Sequence, residues 1–193
     1  MKVEVVPEKM FRCIKLEWES IPIDRNHTKF VEAIPGRWSN QTIGLYAIEG
    51  KHDGHRQGTI LYIGMTVEQA GGRPVQSVTT RLFREKKPRT MYGTYWDLIL
   101  RWAPLIPEEL FPGDPDMVGK TEKLAGALEN LLIVSMKPPL NAQDVDGWLD
   151  KEAWDLIVGN AGDKGLLLPM LHGHECFFTH KEKKSIGSGV PSE

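Results

Sequence analysis

The chain has 193 residues, of which 40% are hydrophobic, and its formal net charge is −2 at pH 7. The length fits one domain with extensions, the apolar content excludes a wholly disordered chain, and the charge counts against a non-specific nucleic-acid binder. Because the chain has only two cysteines and no apolar segment long enough to span a membrane, we expect a soluble, cytoplasmic protein with reduced thiols.

The first 40 residues or so are predicted to form an extension before the main domain. Residues 10–18 alternate between apolar and polar side chains, which predicts a strand. Pro22, Pro35 and Gly36 then predict loops. This segment is expected either to cover an edge of the following domain or to form a subunit or DNA contact.

Two apolar segments, residues 43–48 and 59–64, are separated by a polar loop. Their β-branched and aromatic residues predict an antiparallel hairpin. Each predicted strand carries one tyrosine, Tyr46 or Tyr62, two residues from a glycine. Glycine in a strand allows backbone or a substrate to approach closely.

The segment after the hairpin predicts a helix over residues 75–87, which a proline ends. With about 100° of rotation per residue, Arg81 and Glu85 share the shoulder of its apolar stripe, whereas Arg84 points into solvent. Residues 95–102 predict a third strand, again ended by a proline.

The second predicted helix covers residues 120–136, after a loop predicted at 106–118. One face of this helix is rich in leucine, and Glu129 is expected to lie half-buried at the edge of that face. Asn141 follows the two prolines that end the helix. Residues 150–158 predict a further short helix.

The three strands and two helices between residues 44 and 141 predict an α/β (α+β) fold. Its core would be a small three-stranded antiparallel sheet flanked by helices, with N- and C-terminal extensions. The predicted domains are an N-terminal extension at residues 1–40, a central domain at residues 41–142, and a C-terminal extension with a loose tail at residues 143–193.

Two triplets resemble a family signature. Gly44-Leu45-Tyr46 and Tyr62-Ile63-Gly64 are similar to the triplets of the GIY-YIG nucleases. Arg81, Glu129 and Asn141 then follow in the order of that family's arginine, glutamate and asparagine. The resemblance covers roughly half of the chain, about one small domain.

The resemblance implies cleavage of a phosphodiester with one divalent cation. Glu129 would hold Mg²⁺ or Mn²⁺, and Arg81 would bind phosphate oxygens through its planar guanidinium. Tyr46 would act on the attacking water as general base, and Tyr62 would orient the water or the phosphate. Asn141 is expected to hold the end of the glutamate helix rather than to react.

Glu85 departs from the family pattern. Many members carry His or Tyr four residues after the arginine, and here that position is a glutamate. Three roles are open for this carboxylate: pairing with Arg81, holding a second cation, or serving a modified mechanism.

The stretch from residue 81 to residue 101 is rich in cations and contains several aromatic residues. Beside a nuclease site, such a stretch is expected to bind DNA phosphates. The predicted DNA-binding residues are Arg84, Lys86, Lys87, Arg89 and Arg101.

The sequence thus predicts a Mg²⁺-dependent DNA endonuclease of restriction type, or a phage or mobile-element nuclease with looser specificity. A second interpretation is a catalytically degenerate module that binds nucleic acid or a protein partner without cutting. A third is a zinc hydrolase, although the spacing of its ligands fits no common zinc site; these ligands would be His172, His174, Cys176 and His180. The sequence does not decide whether the substrate is DNA or RNA, nor whether the chain forms a homodimer.

Overall fold

The structure is a computed structural model that describes residues 11–36, 38, 43–52, 58–67, 91, 93–141 and 151–174. Within these ranges, the strands are β1 (Arg12–Pro22), β2 (Gly44–His52), β3 (Thr59–Thr66), β4 (Tyr95–Pro104), β5 (Leu156–Gly162) and β6 (Met170–His172). The helices are α1 (His27–Ala33), α2 (Pro107–Leu110), α3 (Met117–Met136) and α4 (Lys151–Trp154), with a 3₁₀ turn at Pro139–Asn141.

The described strands form one mixed, curled sheet in the order β3-β2-β4-β1-β5-β6. Strand β2 pairs antiparallel with β3 and β4, and β4 pairs antiparallel with β1. Strand β1 pairs in parallel with β5, whose other neighbour is the antiparallel β6.

The predicted three-stranded antiparallel sheet flanked by helices is therefore wrong. The sheet has six strands, and helices are few in the described part of the chain. The additional strands join through distant pairings, as at Trp18, whose Nε1 donates to Asn160 Oδ1 at 2.8 Å across 142 residues. A parallel pair such as β1 and β5 has no tight turn between its strands, so no local pattern predicts it.

Several local predictions are confirmed. The predicted hairpin is the antiparallel pair β2–β3, and the strand predicted at residues 10–18 overlaps β1. The helix predicted at residues 120–136 is α3, which begins three residues earlier, at Met117. It ends at Lys137, which has a left-handed backbone (φ 49°) and precedes the prolines.

Two other local predictions are wrong in part. Residues 106–118 are not only loop, because they contain α2 and the start of α3. Of the described residues 151–158, only Lys151–Trp154 is helical, and β5 begins at Leu156. The β-branched Ile157 and Val158 instead pair with β1, because strand pairing outweighs local helix propensity there. The helix predicted at residues 75–87 lies outside the described residues.

The core has two parts, which lie on opposite faces of the sheet because alternate residues of a strand point to opposite faces. On the first, the α3 face, leucines of α3 pack against Leu45, Ala47 and Ile63. On the second, the tyrosine face, Phe30 of α1 and Trp38 belong to the cluster that contains Tyr46. Each side of β2 is thus covered.

The sheet includes strands from all three predicted segments of the chain. Strand β1, from residues 1–40, lies between β4 and β5. Strands β5 and β6 come from residues 143–193. The division into a nuclease-like domain and two extensions stays a prediction. None of the helices in the described ranges is long and apolar enough to cross a membrane.

Candidate functional site

Tyr46 and Tyr62 lie side by side on the tyrosine face of the β2–β3 hairpin. Their ring centroids are 5.9 Å apart, and the ring planes are inclined by 34°. The strand register places Tyr46 opposite Gly64 and Tyr62 opposite Ile48. The two tyrosines of the resembling triplets therefore meet through the pairing of the hairpin.

Close packing explains why both triplets carry a glycine. A Cβ atom at Gly64 would overlap the ring of Tyr46, so this ring can cross β3 only over a glycine. A Cβ atom at Gly44 would lie 2.7 Å from the carbonyl oxygen of Ala103 and from the ring of Trp102. The spacing of the triplets thus follows from how their rings and backbones fit together.

The two tyrosines differ in their access to solvent. The Tyr46 side chain is enclosed in the core of the tyrosine face, and the residue is only 1% exposed. Tyr62 packs against the same cluster but remains partly exposed. In this conformation a substrate from solvent reaches Tyr62 more directly than Tyr46.

Asn141 joins the end of the α3 segment to the hairpin. The Ile63 N–H donates to Asn141 Oδ1 at 2.8 Å, and Asn141 Nδ2 donates to the Ile63 carbonyl at 2.9 Å. Strand β3 is at the edge of the sheet, so the Asn141 amide takes the place of a neighbouring strand's peptide group. Asn141 is only 1% exposed, and its amide fixes the middle residue of the second triplet.

Glu129 lies on α3, which packs against β3 and β2. Its neighbours Leu128 and Leu132 are buried on the α3 face, whereas Glu129 is half-buried at the border of that face. The helical periodicity predicted this border position. The α3 core contacts are thus on the face of the sheet opposite to the tyrosines.

The two faces connect around the edge of β3. Met136, at the end of α3, packs on the α3-face cluster, whereas Leu140 in the following 3₁₀ turn packs on the cluster that contains Tyr46. The segment that carries Asn141 therefore passes from one face to the other. Convergence of the Glu129 carboxylate on the tyrosines stays a prediction.

Glu129 would offer a metal ion a single carboxylate. Across the described ranges, no group of three or more His, Cys, Asp or Glu side chains is arranged to hold a metal ion. Mg²⁺ prefers oxygen ligands and often takes one or two carboxylates, with waters and substrate phosphates completing its shell. A single carboxylate is compatible with such a site and not with a closed protein cage.

Most of the other predicted site residues lie outside the described residues. They are Arg81, Arg84, Glu85, Lys86, Lys87 and Arg89. Of the predicted zinc ligands, His172 is in β6, and His174 stacks on Trp154 with ring centroids 5.9 Å apart. Cys176 and His180 are also outside the described ranges, so the zinc interpretation stays untested.

Arg101, predicted to bind DNA, lies inside the protein. The residue is 4% exposed, its Nε is 2.8 Å from Glu49 Oε2, and its Nη1 is 2.7 Å from Asp163 Oδ1. Gly165, at φ 55°, lies against the guanidinium, where a Cβ atom would overlap it. In this conformation Arg101 connects β4 to β2 and to the loop after β5, and its guanidinium does not face a solvent-borne phosphate.

The Asp163 carboxylate, which pairs with Arg101, has a lowered pKa. A hydrogen bond from the Ser20 hydroxyl lowers the pKa of Asp163, and the hydrogen bond and charge of Arg101 lower it further, whereas desolvation opposes both. The sequence carries no signal for these partners, because Glu49 and Asp163 lie 52 and 62 residues away from Arg101.

Comparison of the chain with known protein families, with curated proteins and with solved structures found no match in any of the three. The resemblance to the GIY-YIG nucleases therefore depends on the residues of the sequence alone.

Proposed function

We propose that the chain is a divalent-metal-dependent DNA endonuclease of the GIY-YIG type that acts in the cytoplasm. The observation that carries the proposal is the pair of hydrogen bonds between Asn141 and Ile63. They attach the segment that follows Glu129 to the strand that carries Tyr62. Asn141 is thereby held next to Tyr62 by contacts that its sequence spacing alone does not require.

The tyrosines would prepare the attacking water. A phosphodiester hydrolase must position this water, neutralise the phosphoryl charge and assist the departing oxygen. Tyr62, which is partly exposed, would orient the water, and the neighbouring Tyr46 would accept its proton. A phenol has a pKa of about 10, so the base role requires nearby positive charge.

Glu129 and Arg81 would supply the electrostatic part. The Glu129 carboxylate would hold the cation, and the guanidinium of Arg81 would bind two phosphate oxygens. When bound, Mg²⁺ provides a Lewis acid that neutralises charge on the phosphate. Lys86, Lys87 and Arg89 would bind flanking phosphates, and Arg101 is left out of this surface because its guanidinium is buried.

A second function is favoured by the burial of Tyr46. A general base that is only 1% exposed has little access to a water molecule unless the covering segments move. The same hairpin would serve a module that binds nucleic acid without cutting it, with Tyr62 and the basic stretch as its contacts.

A plasmid-cleavage assay tests the proposal. We expect the purified chain to nick or linearise supercoiled DNA with Mg²⁺ and to be inactive with EDTA. Glu129→Gln should reduce cleavage by at least about a hundredfold, because it removes the charge that holds the cation. The matched control is Glu122→Gln, a half-buried glutamate two turns earlier on the same side of α3.

Two results would contradict the nuclease. Cleavage by Glu129→Gln at the wild-type rate would exclude the proposed metal site. Salt-dependent DNA binding by the wild type, without cleavage of plasmid or RNA in Mg²⁺ or Mn²⁺, would favour the non-cutting module instead.

A further inference from the structure

A second concave site lies away from the tyrosines. A cavity of about 310 Å³ opens between the start of β1, the end of α2, the first half of α3, and α4. This volume falls at the lower end of the range for small-molecule sites, roughly 300–1,000 Å³. On α3 the cavity is lined by Lys120 and Lys123, which lie roughly 120–180° around the helix from Glu129. The cavity is thus separate from the proposed nuclease site.

Three cations line this cavity, and they differ in their partners. The Arg12 guanidinium lies over the ring of Phe111, with its central carbon 4.5 Å from the ring centroid. Lys120 is paired with Asp114, whose pKa is lowered chiefly by that hydrogen bond. Among the described residues, neither Arg12 nor Lys123 has a carboxylate partner.

The position of Arg12 is suited to binding an anion. The contact with Phe111 is a cation–π contact, and the guanidinium also carries five N–H donors for an anion. This contact also restricts the side chain, so less rotamer entropy is lost when a ligand binds. Together with Lys123, Arg12 offers two positive charges to one ligand group.

The remaining walls indicate the size and chemistry of that ligand. The apolar part of the lining comes from α3 and β5 and includes Leu124 and Leu156, which are buried. A flat apolar ring fits such a surface. Glu152 and Asp155 also line the cavity, and carboxylate oxygens accept hydrogen bonds from hydroxyl or amino groups.

We propose that this cavity binds a nucleotide-sized phosphomonoester, with its phosphate at Arg12 and Lys123 and its ring on the apolar lining. A phosphomonoester carries a charge of about −1.5 to −2 at pH 7, which two cations match. A planar arginine fork with a lysine point charge is also a common way to bind phosphate. The ligand can be a free nucleotide or the 5′-phosphorylated end of a strand.

Calorimetric titration of the full chain with thymidine 5′-monophosphate tests the proposal. We expect saturable binding, with thymidine and inorganic phosphate each at least about tenfold weaker, because each lacks half of the contacts. Lys123→Ala and Arg12→Gln should each weaken nucleotide binding by about tenfold. Lys29→Ala, an exposed lysine of α1 outside the cavity, should leave the affinity within about twofold of wild type.

The same titration identifies the source of the ligand. If pTpT binds more tightly than thymidine 5′-monophosphate, and TpT does not bind more tightly than it, the ligand is a strand end. If the mononucleotide binds more tightly than pTpT, the ligand is a free nucleotide. Absence of saturable binding by both pTpT and the mononucleotide would overturn the proposal, as would inorganic phosphate binding as tightly as either. Circular dichroism checks that each variant folds, and Arg12→Lys replaces Arg12→Gln if the latter does not fold. Equal nucleotide affinities in wild type, Lys123→Ala and Arg12→Lys would also overturn the proposal.

The result is independent of the nuclease proposal. Glu129→Gln should bind the nucleotide as wild type does, because Glu129 is on the other side of α3. Loss of nucleotide binding in folded Glu129→Gln would overturn the assignment of the ligand to this cavity.

Discussion

Replacement of Asn141 tests the contact on which the proposed site is built. Asn141→Ala removes both hydrogen bonds to Ile63, a residue that is 0% exposed. A buried N–H or C=O left without a partner costs about 1–3 kcal/mol, so the two together predict a loss of about 2–6 kcal/mol. This is a large part of the roughly 5–15 kcal/mol that stabilises a domain.

Asn141→Asp gives a sharper version of the same test. At pH 7 the carboxylate still accepts from the Ile63 N–H, but its other oxygen faces the Ile63 carbonyl. Burial and this repulsion should raise the pKa of the new carboxyl in the folded state above its unfolded value of about 3.9. As the pH falls, the folded variant therefore takes up this proton at a higher pH than the unfolded variant does. Its stability relative to wild type should then recover as the pH falls from 7 to 5.

Urea denaturation followed by circular dichroism at pH 7 and pH 5 measures both effects. Asn141→Leu is the control, because it has a similar size and no group that titrates. We expect its deficit relative to wild type to be the same at both pH values. A loss below about 1 kcal/mol in Asn141→Ala, or a deficit in Asn141→Asp that does not change with pH, would refute the reasoning.

Three further predictions concern packing, acid stability and DNA binding. Gly64→Ala should destabilise the protein by about 1–3 kcal/mol in urea denaturation, because its Cβ overlaps Tyr46; Gly126→Ala, with open space at its Cβ, should not destabilise it. Asp163 has a lowered pKa, so its contribution is present above the unfolded value of about 3.9 and is lost as the pH falls through the folded value. Asp163→Asn should accordingly lower stability at pH 6–8 and lose its deficit in acid; a deficit that persists there contradicts this. Neutralising the three cations in residues 86–89 should reduce the slope of log affinity for DNA against log salt concentration by roughly one unit per lost contact. An unchanged slope would indicate that this stretch is a solvated surface that does not contact DNA.

The triplets are explained in part without any catalysis. Gly64 accommodates the Tyr46 ring, and Gly44 accommodates Trp102. Packing alone would therefore select glycine at these two positions. For this reason the decisive test of function is Glu129→Gln, which changes a half-buried carboxylate outside the two triplets.

The position of α3 sets a geometric condition on the proposed nuclease site. Its leucines pack on the face opposite to Tyr46 and Tyr62, and the chain crosses to the tyrosine face only after Met136. A shared site would have to form around the edge of β3, next to Asn141. This places the expected DNA contact at the edge of the sheet rather than over its centre.

The sequence by itself determined the local elements. Alternation predicted β1, and segments rich in β-branched and aromatic residues predicted β2, β3 and β4. A 3.6-residue period with two following prolines predicted α3 and the border position of Glu129. These signals depend only on neighbours along the chain, since strand and helix periodicity decide which side chains share a face. The structure agrees with the prediction there.

Only the tertiary structure decided how these elements combine. The insertion of β1 between β4 and β5, the burial of Arg101 against Glu49 and Asp163, and the hydrogen bonds from Asn141 to Ile63 all join residues far apart in sequence. Such contacts form because the folded chain must pair buried strand edges and charges wherever it brings them together. A cation that reads as a surface residue in sequence can thereby become an internal one, as Arg101 does.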